Sequence, residues 1–311
     1  MTITSLFSGA GGLDLGLIQA GNEVVWANDI DQDAAETYSA NIGQHIICKD
    51  IKEIPSSEIP VSDVVVGGFP CQGFSIANLR RDVSDERNQL YRFFLTIVEE
   101  KQPKFFIAEN VKGLLSLGKG AVIKQISDDF RNAGYLVEVH KIDAADYGVP
   151  QHRERVIIIG QRKDISPEML FSFPRPTHSK NGENLPMWVS MKSALTNVPE
   201  NYDPEADPNA YGSAYRFVAR NFTAHRVSDP DKPSPTILAR GNGKGGVCAI
   251  PHYNGQRRLT IRESAIIQTF PCDFVFHGRM GSCYRQIGNA VPVLFAKKLG
   301  AELKRLETRC I

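Results

Sequence analysis

Short runs rich in β-branched residues alternate with segments of helical periodicity through the first half of this 311-residue chain. Apolar residues recur at helical spacing between these runs, as at Leu90, Phe93, Phe94, Ile97 and Val98. This alternation predicts a doubly wound, mostly parallel α/β sheet, whose ligands bind at the carboxyl ends of the strands. The predicted strands are residues 2–7, 23–28, 44–47, 63–67, 105–109, 136–142 and 156–159.

The pattern changes after about residue 173, where prolines interrupt a polar stretch without a sustained helical period. We therefore expect three parts: a large domain at 1–173, a smaller irregular domain at 174–285, and a segment at 286–311. That last segment carries an apolar stripe that one helix cannot bury alone, so it should return to the large domain. The stripe consists of Phe295, Ala296, Leu299, Leu303 and Leu306.

Composition excludes several classes of protein. The chain is 42% hydrophobic and 23% charged, and no apolar run approaches the roughly 18 residues of a membrane-spanning helix. The first residues lack a secretion signal, so a cytoplasmic location is expected. The six cysteines show no CxxC pair, which argues against a disulfide framework and against a zinc or other metal site.

The net charge of +1 conceals an asymmetry between the two halves of the chain. Residues 1–150 carry 13 basic and 21 acidic side chains, whereas residues 151–311 carry 23 and 14. The stretch 213–285 alone has 11 basic and 4 acidic residues. Such asymmetry is typical of a lobe that faces a polyanion, although scattered solvated charge explains it equally well.

A glycine-rich turn follows the first predicted strand, and an acid, Asp29, ends the second. Glycines at such a turn let the backbone approach a ligand, and the carboxylate can accept hydrogen bonds from ribose hydroxyls. The arrangement suits an adenosine-containing cofactor. It is not the dinucleotide fingerprint, because Asp14 occupies the third glycine position. A purely structural turn is the alternative.

Two reactive residues follow neighbouring predicted strands. Cys71 lies between Pro70 and Gln72 after the fourth strand, which suits presentation on a turn better than packing, although lone cysteines are usually buried. A thiolate is a strong nucleophile. Glu109 closes the fifth strand, where a buried carboxyl needs a partner or a proton. A helix cap or a surface ion pair would be the ordinary role for Glu109.

Arg153 and Arg155 precede the seventh strand and should lie on one side of it. Two guanidinium groups on one face suit an anionic or carbonyl-rich ligand, whereas exposed charge is the default interpretation. Residues 76–89 are charged and poor in apolar side chains. They are therefore expected to form a mobile loop beside Cys71, of the kind that closes over a site.

These segments resemble motifs of the DNA (cytosine-5)-methyltransferases, especially the bacterial restriction-modification enzymes. They occur in the family's order and span nearly the whole chain. The similar segments are 7–16, 68–75, 109–111, 151–155, 286–292, and the group Arg262, Glu263, Gln268, Phe270 and Pro271.

The resemblance implies S-adenosyl-L-methionine as the cofactor. Asp29 would bind its ribose, and Asp50 and Ile51 its adenine. Relatives often carry a bulky aromatic residue directly after the ribose-binding acid, where this chain has Ile30. The implied pocket consists of Phe7, Gly9, Gly11, Gly12, Leu13, Asp29, Ile30, Asp50, Ile51, Gly68, Pro70, Leu90, Asn289, Ala290 and Val291.

The resemblance also implies the catalytic residues. Cys71 would add to carbon 6 of a flipped-out cytosine, and Glu109 would hold nitrogen 3 and the amino group. Arg155 would bind the carbonyl oxygen, with Arg153 supporting it or a nearby phosphate. The loop at 76–89 would close behind the extruded base.

The implied partner is double-stranded DNA, read by a target-recognition domain that begins near residue 174. A monomer is expected, with a cognate restriction endonuclease in the same system but no stable complex. A transfer-RNA cytosine-5 methyltransferase of the same fold is the nearest rival. An inactive methyltransferase-like binding protein would be expected to lack Cys71 or Glu109, and Asp14 disfavours a nicotinamide oxidoreductase.

Overall fold

Seven strands and eight helices are present in the computed structural model, which describes residues 1–69, 89–166, 169–199, 207, 209, 227–239 and 250–308. The strands are β1 (Thr2–Leu6), β2 (Glu23–Asp29), β3 (Ile46–Cys48), β4 (Val64–Gly67), β5 (Phe105–Val111), β6 (Tyr135–Asp143) and β7 (Glu154–Arg162). The helices are α1 (Gly12–Gln19), α2 (Gln32–Asn41), α3 (Gln89–Lys101), α4 (Ala121–Asn132), α5 (Met191–Leu195), α6 (Ile261–Ile267), α7 (Met280–Asn289) and α8 (Val293–Thr308).

The strands form one mixed sheet in the order β3-β2-β1-β4-β5-β7-β6. β7 runs antiparallel to both of its neighbours, and the other pairings are parallel. The predicted fold class, a doubly wound and mostly parallel sheet, is therefore confirmed. One strand was wrongly placed: β3 covers Ile46–Cys48 instead of 44–47, because its pairing with β2 starts at Ile46.

The sheet is covered on both faces, which follows from the period of two in its central strands. In β4, Val64 and Val66 point to the face where α1 and α8 pack. Val65 points to the opposite face, against Phe94 of α3 and Phe130 of α4. Near-continuous apolar runs in β4 and β5 are thus required, since both sides of these strands are buried.

The last helix, α8, returns to the large domain as expected. It packs closely on α1: a Cβ on Gly16 would lie 2.4 Å from the Cβ of Ala296. A third apolar cluster joins α6 and α7 to Ala10 in the glycine-rich turn. The proposed domain boundary between residues 285 and 286 falls inside α7, and the division of the chain stays a prediction.

Among the described helices, none has the length and apolar character needed to cross a membrane.

Candidate active site

The carboxyl ends of β1, β2, β4 and β5 meet at one edge of the sheet and open into a cavity of about 690 Å³. This is the edge at which open α/β sheets bind ligands. The segment that joins α7 to α8 forms the far wall, through Asn289, Ala290 and Val291. One cavity therefore brings together residues from both ends of the chain.

The glycine-rich turn at the end of β1 has an unusual backbone. Phe7, Gly9 and Gly11 all have positive φ values, of 56°, 56° and 84°. Glycine adopts this conformation without strain, whereas Phe7 must be held in it by its surroundings. A Cβ on Gly12 would lie 2.5 Å from the carbonyl oxygen of Val291, so only glycine lets the C-terminal wall approach α1 this closely.

Asp29 is fixed by the backbone on two sides. Its Oδ2 accepts a hydrogen bond from the Gly9 amide at 2.7 Å, and its Oδ1 accepts one from the Asp31 amide at 2.8 Å. Burial raises the pKa of Asp29, and these hydrogen bonds oppose the shift. Because a carboxylate has about four lone-pair sites, acceptor capacity remains for hydroxyl groups in the cavity.

Thirteen of the fifteen residues predicted to bind the cofactor line this cavity. Gly11 does not line it: it is the N-cap of α1 and lies against Tyr38 and Ile42. Pro70 lies outside the described residues, as do Cys71 and most of the predicted loop at 76–89. Ile30 lines the rim with 67% of its surface exposed.

Glu109 and Arg155 form an ion pair at the inner end of the cavity. Arg155 Nε lies 2.7 Å from Glu109 Oε1, and the two side chains are 13% and 12% exposed. The contact is an ion pair, and neither of these two atoms makes a hydrogen bond to a described residue. Glu109 lies in β5 as predicted, whereas Arg155 lies within β7 and not before it, because β7 begins at Glu154 and its Arg155 pairs with Val111 of β5.

Arg153 has a different environment from Arg155, although the sequence predicts a shared role. It is 1% exposed. Its guanidinium donates to the carbonyl oxygens of Ile237, Gly288 and Ala290 at 3.2, 2.9 and 2.8 Å. Burial and then the charge of Arg155 lower the pKa of Arg153 to about 9, so it stays protonated at neutral pH. Its terminal nitrogens hold Ile237 and the segment 288–290 together.

A chain of glutamine contacts extends the same junction. Gln151 Oε1 accepts from the Ile237 amide at 2.9 Å, and Gln151 Nε2 donates to Gln268 Oε1 at 3.0 Å. Gln268 Nε2 in turn donates to the carbonyl oxygen of Ile287 at 2.7 Å. The end of the proposed recognition segment is thereby attached to both the loop before β7 and the C-terminal wall.

Two site residues had no role in the sequence analysis. Asn110 Nδ2 donates to the carbonyl oxygen of Phe69 at 2.9 Å, which fixes the chain immediately before Pro70 and Cys71. Asp14 lines the cavity and is fully buried. The position of Asn110 directly after Glu109 could have identified it from the sequence. Asp14 stands out in the sequence only because it replaces the third glycine of the dinucleotide fingerprint.

Comparisons with known proteins agree on one family. A family model described as C-5 cytosine-specific DNA methylase matches residues 1–305. The type II methyltransferase M.NgoFVII of Neisseria gonorrhoeae is 42% identical over 314 residues, covering 93% of this chain and 83% of that protein. M.FnuDI of Fusobacterium nucleatum, also a type II methyltransferase, is 38% identical over 333 residues, covering 99% and 95%.

The fold is shared with a solved structure of an Escherichia coli protein described as a DNA modification methyltransferase encoded within a prophage. The TM-score is 0.76 at 26% identity, and the match covers 99% of each chain. The similarity thus extends over nearly the whole chain.

Proposed function

The chain belongs to the C-5 cytosine-specific DNA methylases of type II restriction-modification systems, and on this premise we propose its detailed reaction. A methyl group passes from S-adenosyl-L-methionine to carbon 5 of a cytosine in a specific double-stranded DNA sequence. The base is flipped out of the duplex, and Cys71 attacks it covalently.

The observation that carries this proposal is the convergence of thirteen cofactor candidates on one cavity that also holds the Glu109–Arg155 pair. The cavity suits the cofactor in three respects. Gly9 has no atom within 4 Å of the position of a Cβ, so its backbone faces open space. Asp29 is positioned to bind hydroxyl groups, and a volume of about 690 Å³ suits a nucleoside-sized ligand.

When bound, the cofactor supplies an electrophilic methyl group on a sulfonium ion. The chain must make carbon 5 of cytosine nucleophilic. The Cys71 thiolate forms a bond to carbon 6, and the displaced electron pair moves toward carbon 5 and nitrogen 3. Glu109, in its protonated form, donates a hydrogen bond to nitrogen 3, and its proton neutralises the negative charge that develops there. After methylation a base removes the carbon 5 proton, the electron pair re-forms the double bond, and the cysteine leaves.

Arg155 both pairs with Glu109 and faces the base, for which we assign it the carbonyl oxygen. The 2.7 Å ion pair keeps the Glu109 carboxyl and the Arg155 guanidinium together at the proposed site of the base. We assign Arg153 a positioning role instead, because its terminal nitrogens are occupied by three backbone carbonyls.

We further propose that the basic segment from about residue 174 to 285 is the target-recognition domain. Its excess of positive charge would supply salt-dependent affinity for phosphates. We propose that the protein acts as a monomer. A cognate endonuclease would share the DNA site without a stable complex.

Methyl transfer from labelled cofactor to duplex DNA and to transfer RNA tests the substrate. We expect label in DNA, and sequencing for 5-methylcytosine in DNA from expressing cells should give a single short motif. Label confined to transfer RNA would overturn the proposal, and absence of label from both substrates would overturn the reaction itself.

Replacing Ile30 with tryptophan is expected to tighten cofactor binding by roughly three- to tenfold. Ile30 is 67% exposed at the rim, and an aromatic face stacked on adenine gains about 0.5–1.5 kcal/mol. Calorimetric titration with S-adenosylmethionine measures the effect. Val61→Trp is the matched control, since Val61 is 74% exposed and does not line the cavity. Equal affinities in both variants and the wild type would show that Ile30 does not contact adenine.

A further inference from the structure

Asp14 is a fully buried carboxylic acid that the proposed reaction does not use. It lies in the first turn of α1, its relative exposure is 0%, and it adjoins the cavity without reaching its water-accessible surface. Burying an ionisable group is costly unless its environment compensates, so a residue of this kind needs a reason.

A chain of hydrogen bonds connects Asp14 to the glycine-rich turn. Ser5 Oγ donates to Asp14 Oδ1 at 2.7 Å, and Ser8 Oγ donates to Ser5 Oγ at 2.9 Å. The backbone amide of Asn28 donates to Ser8 Oγ at 3.3 Å. The carboxylate thus holds the turn that carries Gly9 and Gly11.

On its other side, Asp14 is connected to a titratable group nearer the surface. Tyr38 Oη donates to Asp14 Oδ2 at 2.9 Å and lies 2.9 Å from Nε2 of His45, which is only partly buried. Burial lowers the pKa of His45. Against the opposite side of α1, α8 contributes apolar contacts at Gly16 and Ala20.

We propose that Asp14 is a positioning residue whose buried negative charge holds the glycine-rich turn and makes the cavity prefer a positively charged sulfonium cofactor over its neutral demethylated product. The inference rests on the proposed cofactor. S-adenosylmethionine and S-adenosylhomocysteine share their ammonium, carboxylate and adenosine groups and differ by one methyl group and one charge. Because Asp14 is buried from water, the attraction between its carboxylate and the sulfonium charge would be only weakly screened.

The preference should depend on pH. Burial raises the pKa of Asp14 to about 6, while hydrogen bonds from Ser5 and Tyr38 oppose the shift. Above this pH Asp14 is ionised and attracts the cation. Below it the acid is neutral and the attraction is lost, so affinity for S-adenosylmethionine should fall as the pH falls. Because the pKa of Asp14 is higher in the folded protein than in an unfolded chain, its ionisation lowers the free energy of unfolding near neutral pH. Such a cost to stability is common at functional sites.

Calorimetric titration of the full chain with both molecules, from about pH 5.5 to about pH 8.5, tests the proposal. The ratio of the two dissociation constants cancels the titration of the groups that the ligands share. Wild-type protein should show a preference for S-adenosylmethionine that grows roughly three- to tenfold across this range. In Asp14→Asn the ratio should stay flat, because asparagine has no charge to titrate. Burial also raises the pKa of Asp29, but its proposed partner, the ribose, is common to both ligands, so its titration cancels in the ratio.

Two further variants separate this role from a merely structural one. Tyr38→Phe removes a hydrogen bond that favours the ionised acid, so the midpoint of the pH dependence should move upward. Glu36→Gln removes a charge from the exposed surface of α2 and should leave the wild-type pH profile unchanged. Thermal unfolding establishes that each variant is folded.

If the preference of Asp14→Asn for S-adenosylmethionine grows with pH as much as that of the wild type, this inference is wrong, while the proposed cofactor is unaffected. An Asp14→Asn protein that fails to fold leaves the midpoint of Tyr38→Phe as the deciding measurement, and an unmoved midpoint would also overturn it. Failure of the wild type to bind either molecule would instead overturn the proposed cofactor.

Discussion

Replacing Cys71 with alanine is expected to lower the rate of methyl transfer by roughly 10⁴-fold or more, because the proposed reaction needs the thiolate to add to carbon 6. Affinity for S-adenosylmethionine should change by less than about twofold. The described residues that line the cavity include the glycine-rich turn, the end of β2 and the segment before α8, and these carry the proposed contacts to the cofactor. Transfer of labelled methyl groups to duplex DNA and calorimetric titration of the cofactor measure the two quantities separately.

The matched control is Cys48→Ala, which removes an exposed thiol at the end of β3. This variant should keep wild-type turnover. A duplex in which 5-fluorocytosine replaces the target base gives an independent measurement, since fluorine at carbon 5 cannot leave as a proton does. Wild-type protein should remain covalently attached in a denaturing gel, and Cys71→Ala should not. Turnover by Cys71→Ala close to that of the wild type would eliminate Cys71 as the nucleophile.

Sequence patterning was sufficient for the fold because the signal is local. Each face of β4 is buried against a helix layer, so the run of valines at 64–66 identifies a central strand. The lengths of β5 and β7 were not predictable in the same way. Their pairing extends from Phe105 with Gln161 to Val111 with Arg155, and such a register depends on residues about fifty positions apart.

Arg153, directly before β7, and Arg155, within β7, show which features of the site could not be predicted from the sequence. Arg153 and Arg155 are two residues apart and both line the cavity, so alternation along the strand correctly put them on one side. Their partners differ because Ile237, Gly288 and Ala290 fold back onto Arg153 from 84, 135 and 137 positions away. No local pattern could indicate that three carbonyl oxygens would converge on one guanidinium and not on the other.

Substitution of each arginine by alanine should therefore have opposite consequences. Arg153→Ala removes the donor from three carbonyl oxygens, at least two of which come from the cofactor wall. Each buried carbonyl left unsatisfied costs roughly 1–3 kcal/mol, so the free energy of unfolding should fall by about 3 kcal/mol or more. Arg155→Ala should lower the turnover number by about 10²- to 10³-fold with a smaller loss of stability, because within the described part of the chain Arg155 makes one ion pair and donates only to the carbonyl oxygen of the adjacent residue Glu154.

Urea unfolding and steady-state methylation of the same preparations separate these effects. Cofactor affinity should fall in Arg153→Ala, since Gly288 and Ala290 lose the group that holds them at the wall, and it should survive in Arg155→Ala. The opposite pattern, a stable Arg153→Ala protein with normal cofactor binding and no methylation, would mean that Arg153 contacts the base. A loss confined to salt-dependent DNA affinity in either variant would instead identify that arginine as a phosphate contact. Arg153 joins Ile237 to the C-terminal wall through Gly288 and Ala290. We therefore expect its loss to weaken the attachment of Ile237 to that wall more than it affects the chemistry at cytosine.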